Sequence, residues 1–365
     1  MRPTDTGVAP NEVEVGEMLA DELDFVIGVD THRDEHALAL VACPSGARVQ
    51  ERLIGADERG YAAALAFAVE RAAGRRAWAI EGTGSYGKGL ARYLTQRDEQ
   101  VHEVERPKRQ GGRARAKSDR LDALRAARSL IAAEKPALPR AAGLRESLRV
   151  LLQVRTSAVA ARRVALNQLR ALLVTCPEPL RAELRSLTRA RLLRRCRELE
   201  PERTDDPELR STLQALRLLA ARVESLTAET RELEQELRAE AEQIAPALLA
   251  ERGIGPIGAA QALVSWSHKG RFRSEAAFAR LAGAPPIPAS SGKTVRHRLD
   301  RGGDRKLNNV LHQIVITRRK HDPRTIAYIE RRRREGKSER EAIRSLKRYL
   351  ARHLFRLLET TATPT

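Results

Sequence analysis

The sequence predicts an α/β sheet domain, then a helical and coiled-coil middle, then a mainly α C-terminal domain. Three observations carry this. From Phe25 to about residue 135, short apolar runs alternate with helical patterns. From 141 to about 250 strand signals almost vanish and helical periodicity takes over. Between them "EKPALPR" (134–140) breaks the chain with two prolines and marks a boundary. The expected domains are therefore 25–135, 141–247 and 248–356, preceded by a polar, acidic segment, 1–24, expected to be a mostly disordered tail.

The first domain opens on "FVIGVD" (25–30), an apolar strand. "HALALVAC" (36–43) and "ARVQERLIG" (47–55) read as a second and a third, joined by a "PSG" turn into an antiparallel meander. The Ala-rich stretch 60–73 predicts a helix, "RAWAIEG" (76–82) a buried strand, and "GKGLARYLTQR" (87–97) the helix after it. "VHEVERP" (101–107) is a short strand, and a last helix runs from about Ser118 to Ala133. This order gives a sheet with helices on its faces.

In the middle region, 141–173 and 207–245 are long helical patterns. Leu216, Leu219, Val223, Leu226, Thr230, Leu233, Leu237 and Ile244 follow a heptad, broken at one position by Glu240. That is a coiled-coil candidate, pairing either between chains or as an antiparallel hairpin within one. The third region begins "LLAERGIGPIGAAQALVSW" (248–266), where Gly253-Ile254-Gly255 between two helical runs suggests a helix-hairpin-helix whose backbone could approach a phosphate. An ordinary helix connection fits almost as well.

The net charge is +19, which favours a polyanionic partner. Of 67 basic residues only ten are Lys, and Arg pairs bidentately with phosphate and guanine; a GC-rich genome would also write Arg for Lys. Aromatics make up 3%, so base stacking is not the main expected binding mode. Residues 292–356 carry 21 Lys/Arg against 7 Asp/Glu, including "RRRR", Arg331, Arg332, Arg333 and Arg334. With apolar residues at helical spacing, this predicts helices that cover nucleic-acid backbone. Cys43, Cys176 and Cys196 show neither metal spacing nor a disulfide framework, which fits a reducing cytoplasm. No 18-residue apolar run and no signal-like N-terminus is present, so no membrane association is expected.

Against this basic background stand four acids. Asp30 ends the first strand, and Glu81 ends another, followed by Gly82 and Gly84. Ligands of open α/β sheets gather beyond the carboxyl ends of strands. In "KSDRLDALRAAR" (117–128), Asp119 and Asp122 stand three apart on one helical face. Taken singly, each acid could cap a turn or complement a helix dipole. Brought together, four carboxylates need countercharge, and oxygen-only ligands suit Mg²⁺ or Mn²⁺. Such ions can activate an attacking oxygen and stabilise a leaving one in phosphodiester chemistry.

"IGVDTHRDEHALALV", "AIEGTGSYG" and "KSDRLDALRAAR" resemble the three blocks of the RuvC-like DEDD domain of insertion sequence 110 family transposases, which include Piv-like recombinases. The stretch from "GIGPIGAAQALVSW" through "ASSGKTVRHRLDRGGDRKLNNVLHQIV" resembles that family's C-terminal domain. The resemblance spans about 25–356, with Ser118 standing where the family often has Thr. It implies an RNase H-like first domain, a coiled-coil connection and a metal tetrad of Asp30, Glu81, Asp119 and Asp122. It also implies a catalytic serine in the C-terminal domain. Ser290 and Ser291 both precede Gly292; Ser291, directly before the glycine as in the family pattern, is the favoured nucleophile. Arg296, Arg298, Arg301 and Arg305 surround it in sequence and would stabilise phosphoryl charge. The implied activity is DNA recombination by excision and insertion of an element, in a nucleoid-associated homo-oligomer of two or four chains. In at least some members a structured guide RNA pairs with donor and target DNA. A RuvC-like junction nuclease and an inactive nucleic-acid-binding relative are the alternatives; a hydrolase has no need of "SSG".

Overall fold

This computed structural model describes residues 19–104, 119–133, 136–289, 297–298, 300 and 302–362. The chain divides into two compact units, 1–140 and 141–365.

The first unit contains α1 (Leu19–Glu22), β1 (Phe25–Thr31), β2 (Glu35–Ala42), β3 (Ala47–Gly55), α2 (Glu58–Arg71), β4 (Arg76–Glu81), α3 (Lys88–Thr95), β5 (Gln100–Val104) and α4 (Asp119–Ile131). The segment expected to be a tail through residue 24 is structured from Leu19 onward: Leu23 is buried, and the Asp24 carboxylate accepts a 2.8 Å hydrogen bond from the Arg75 N–H. The strands form one sheet in the order β3-β2-β1-β4-β5. β2 pairs antiparallel to both β1 and β3, whereas β4 runs parallel to β1 and β5. This mixed five-stranded order is compatible with the expected RNase H-like fold. β3 is an edge strand with a mostly exposed face, and its Arg48–Glu51 ion pair places charge on that edge.

The two faces of the sheet differ in side-chain size. Ile27, Val29, Leu38, Leu40, Trp78 and Ile80 form the face packed by α2 and α3, with Phe67, Leu90 and Leu94. The other face presents Val26, Ala37, Ala39, Ala77 and Ala79, and α4 covers it with Ala123, Leu124, Ala126, Ala127 and Leu130. Small residues on both sides let the helix come very close. At Gly28 an added Cβ would lie 2.0 Å from the Ala123 carbonyl oxygen and 2.6 Å from the Ala127 nitrogen. Under the opposite face, Glu99 accepts from Trp78 Nε1 at 2.8 Å and pairs with Arg76 at 2.5 Å. Burial raises the Glu99 carboxyl, but the hydrogen bonds from Arg76 and Trp78 outweigh it and hold the group below the usual carboxylate range.

The second unit contains α5 (Leu144–Thr175), α6 (Glu178–Leu184), α7 (Arg189–Arg197), a 3₁₀ turn (Pro201–Arg203), α8 (Pro207–Ile244), α9 (Pro246–Ala250), α10 (Pro256–Trp266), α11 (Glu275–Leu281), the ribbon β6 (Ile287–Pro288) and β7 (His297–Arg298), then α12 (Arg305–His321), α13 (Pro323–Arg334) and α14 (Glu339–Thr361). On α8 the heptad positions Leu216, Val223, Thr230, Leu237 and Ile244 are all buried. They face α5 of the same chain, and the pair is antiparallel. Leu148 and Leu152 near the start of α5 share a core with Leu237 and Ala241 near the end of α8, while Leu169 meets Leu216 and Ala220 at the other end. Arg155–Glu234 (2.7 Å) and Ser147–Glu240 (2.6 Å) fix the register. The base of this pair and helices α9 to α12 and α14 share one core, so the middle and C-terminal regions of the sequence are continuous in packing. The expected helix-hairpin-helix has a first helix of only five residues. Gly253, at φ +87°, packs against Ile314 and Thr317 of α12, so its conformational freedom serves internal packing.

Two outcomes follow from the first unit. Gly28→Ala should destabilise it by about 3 kcal/mol, because helix and strand backbones would have to part, and the loss should appear in urea unfolding followed at Trp78 in a Trp266→Phe background. Burial holds His36 and His102 below the ordinary imidazole range, so the native state resists a proton that the unfolded chain accepts near pH 6.5. Stability should therefore fall as pH drops below about 6.5. The same Trp78 signal should give a lower urea midpoint at pH 5.5 than at pH 7.5, in the low-pH direction set by those two histidines.

Candidate metal centre and nucleic-acid interface

β1 and β4 are parallel neighbours in register at Val29 and Ile80, so the next step outward sets Asp30 level with Glu81. Both acids follow the alternation of the small-residue face, the face covered by α4. Asp30 is only 2% exposed, and its Oδ2 lies 3.2 Å from His32 Nε2. The Thr31 hydroxyl donates to the Glu81 carbonyl oxygen at 3.0 Å and ties the two strand ends together. Beyond Glu81 the chain turns through Gly82 at φ +67°, a conformation that side chains other than glycine adopt with strain.

α4 runs antiparallel to β1. Near its C-terminus, Arg128 Nε donates to the Gly46 carbonyl at 3.1 Å, in the turn after Ala42, and Ala42 pairs with Phe25 at the start of β1. The N-terminus of α4 therefore lies over the carboxyl ends of β1 and β4. Asp119 is its first residue, and Asp122 is one turn on. The Asp119 side chain lies outside the described residues. Asp122 is half-buried and accepts from Arg125 Nη1 at 2.6 Å. The fold thus brings Asp30, Glu81 and the start of α4 to one end and one face of the sheet. Among the described residues no three His, Cys, Asp or Glu side chains are grouped tightly enough to hold an ion. The donor chemistry, carboxylate oxygens alone, nevertheless fits a hard divalent cation.

In the second unit Ser290, Ser291, Arg296 and Arg301 lie outside the described residues. The ribbon that brackets Ser290, Ser291 and Arg296 in sequence is paired at Ile287–Arg298 and Pro288–His297. Arg298 is exposed on β7 and lines a cavity of about 240 Å³ with Arg332, Lys337, Arg344, Arg348 and Arg352. Glu341 is the acid at this groove, and its carboxylate also accepts from the Ser338 N–H in a capping box. Among these cations Arg332 pairs with Glu335 and Arg352 with Glu275. Arg331 lies 5.2 Å from the Tyr328 ring, and Arg333 and Arg334 are exposed. All four arginines of "RRRR" occupy the last turn of α13, where positive charge complements the helix dipole. Of that run only Arg332 lines the groove. Arg344, Arg348 and Arg352 were missed in the sequence, although their spacing of four was visible there. Arg305 starts α12 and opens on a different cavity.

A mixed sheet with acids at adjoining strand ends, followed by a basic helical unit, is compatible with a DEDD transposase. Residues 27–177 match a DEDD transposase model of insertion sequence 110 elements, and residues 245–330 match the model described as Transposase IS116/IS110/IS902 family. One relative is the "Insertion element IS110 uncharacterized 43.6 kDa protein" of Streptomyces coelicolor, 30% identical over 143 residues. The match covers 38% of this chain and spans 35% of the length of that curated relative. The chain belongs to the IS116/IS110/IS902 family of transposases. Its DEDD domain implies dependence on a divalent metal. Among the described residues no helix is long and apolar enough to cross a membrane.

Proposed function

We propose that the chain is the recombinase of an insertion sequence: a DNA transposase that cuts and rejoins strands through a serine nucleophile, with a divalent metal at the DEDD end of the sheet. The observation that carries this is the register of β1 and β4, which sets Asp30 level with Glu81 beneath the N-terminus of α4. Asp30, Glu81, Asp119 and Asp122 would hold Mg²⁺ or Mn²⁺, which supplies positive charge for the scissile phosphate when bound. Arg125 would release Asp122 or remain as a bridge to phosphate.

Ser291 is the nucleophile in this proposal, with Ser290 as its neighbour. Its oxygen attacks phosphorus, one backbone oxygen leaves and takes up the hydroxyl proton, and a phosphoserine ester forms. The ester keeps the phosphodiester energy, so attack by a second strand's hydroxyl rejoins DNA and restores the serine. Arg296, Arg298 and Arg301 stabilise the charge on the phosphoryl oxygens. Arg331 to Arg334 and the arginines of α14 hold backbone phosphates. A structured guide RNA reads sequence by pairing, which suits a basic chain with 3% aromatics. The working form is a homo-oligomer on DNA in the cytoplasm.

Asp30→Asn, Glu81→Gln, Asp119→Asn and Asp122→Asn should each lower recombination roughly a hundredfold or more, with the circular dichroism spectrum unchanged. On a nicked substrate, a covalent protein–DNA adduct should form, vanish in Ser291→Ala and Asp119→Asn, and persist in Ser290→Ala. Full activity in two of the acid variants, or an adduct in Ser291→Ala, would refute the assignment. Joint neutralisation of Arg344 and Arg348 should reduce the slope of log K against log salt by about 0.9 for each phosphate that is no longer neutralised. Filter binding across a salt series should show a larger drop than joint neutralisation of Arg333 and Arg334, which lie outside the groove.

A further inference from the structure

Between α12 and α14 lies a cavity of about 460 Å³ lined by Gly283, Asp300, Arg305, Asn308, His312 and Lys347, among others. Lys347 is only 6% exposed, which is unusual for a lysine. Its ammonium donates to Asn308 Oδ1 at 2.5 Å, and no carboxylate among the described residues pairs with it. The Asn308 amide is fixed from the other side. Its Nδ2 donates to the carbonyls of Ala282 at 2.6 Å and Gly283 at 3.2 Å, which leaves the oxygen turned to the lysine. Gly283 holds that turn at φ +61°, and Gly303 packs so closely that a Cβ would meet the Gly283 nitrogen at 2.4 Å.

An ammonium has three hydrogens to donate, and among the described residues one is used. Removing a cation from water without a counter-charge costs several kcal/mol, so a fold tends to keep one only where something offsets the cost. The surroundings do the reverse of neutralising it. Arg305 opens on the same cavity, and Arg344 lies close enough to act on Lys347 electrostatically. Among the described lining residues the acid is Asp300, which accepts from the Gly302 N–H at 2.8 Å. Burial depresses Lys347, with Arg344 adding to the effect, and burial, Lys347 and Arg319 likewise depress His312. An anion in the cavity would reverse both effects by favouring the protonated forms.

We propose that this cavity is a phosphate-binding pocket, in which Lys347, oriented by Asn308, and Arg305 grip one backbone phosphate of a DNA strand. It rests on the DNA-recombinase proposal for the source of the phosphate, and on the pocket alone for the anion. The site is separate from the arginine groove: Lys347 lines this cavity, whereas Arg344, Arg348 and Arg352 line the groove. A single buried cation gives a fixed point on the strand, whereas exposed arginines supply diffuse attraction.

The test uses the full chain. Inorganic phosphate should raise the melting temperature of the wild-type protein above that in chloride at equal ionic strength. Lys347→Met, which removes the buried charge at similar volume, should lose the response, and Arg305→Gln should weaken it. A far-ultraviolet spectrum identical to wild type establishes that Lys347→Met is folded. In a second arm, duplex DNA carrying one neutral methylphosphonate linkage is scanned through the bound segment. Wild-type affinity should fall roughly tenfold at one position, and Lys347→Met should show no such position. An undiminished phosphate response in both variants would overturn the pocket and leave the recombinase proposal standing. A phosphate response lost in Lys347→Met, with no DNA bound by the wild type, would overturn the DNA assignment and the recombinase proposal together, and keep the anion pocket. A methylphosphonate effect confined to an RNA strand of the same length would overturn the DNA assignment alone.

Discussion

The first unit depends on the contact of α4 with Gly28. A helix normally stands off a sheet by the length of the side chains between them. Here Gly28 supplies no side chain and the flanking residues are alanines, so backbone meets backbone. The depth of α4 sets where its N-terminus lies, and that end carries Asp119 and Asp122 over the strand ends bearing Asp30 and Glu81. A larger residue at position 28 would act on the acids without touching one. The same asymmetry explains the other face, where Trp78, Phe67 and the large aliphatic residues fill the wider gap beneath α2 and α3.

In the second unit, α14 does several kinds of work at once. Leu350, Leu354 and Leu358 form the stripe that packs into the core. Arg344, Arg348 and Arg352 repeat every four residues and line the basic groove with Arg298. Lys347, one turn beyond Arg344, is buried against α12. Only a helix long enough to repeat each pattern can serve core and charge in this way, and its capping box at Ser338 and Glu341 anchors the end where the charged positions begin.

The strands of the first unit were legible because each combines an apolar run with turn residues at its ends. The candidate acids were legible because carboxylates stand out in a basic chain. Their convergence was only half legible: parallel register puts Asp30 level with Glu81, but no pattern in the sequence states how deeply α4 sits on Gly28. The heptad of α8 was equally visible, yet a seam of Leu216, Val223, Thr230, Leu237 and Ile244 specifies an apolar partner and leaves its identity open; the structure supplies α5 of the same chain. Gly253 illustrates the opposite failure, since a glycine that permits close approach does not state whether a phosphate or another helix makes it. "RRRR" is visible in the sequence as a block, while three of the groove's arginines are spread along α14 and come together only when the helix is wound. The buried state of Lys347 left no mark in the sequence, because nothing local distinguishes it from an exposed lysine.

The α5–α8 pair also has a mechanical consequence. At 1.5 Å per residue, the 38-residue α8 is roughly 57 Å long. Its outer end carries a separate small core of Leu169, Leu184, Cys196, Leu199 and Leu216, closed by α6 and α7. Among the described residues that core is linked to the base through two helices side by side, α5 and α8. A torque or pull at the outer end is therefore carried to the base by one antiparallel seam, which resists bending far better than it resists peeling. The outer end can open as its own cooperative unit while the base stays folded, so a load applied there is limited by the strength of a single small core.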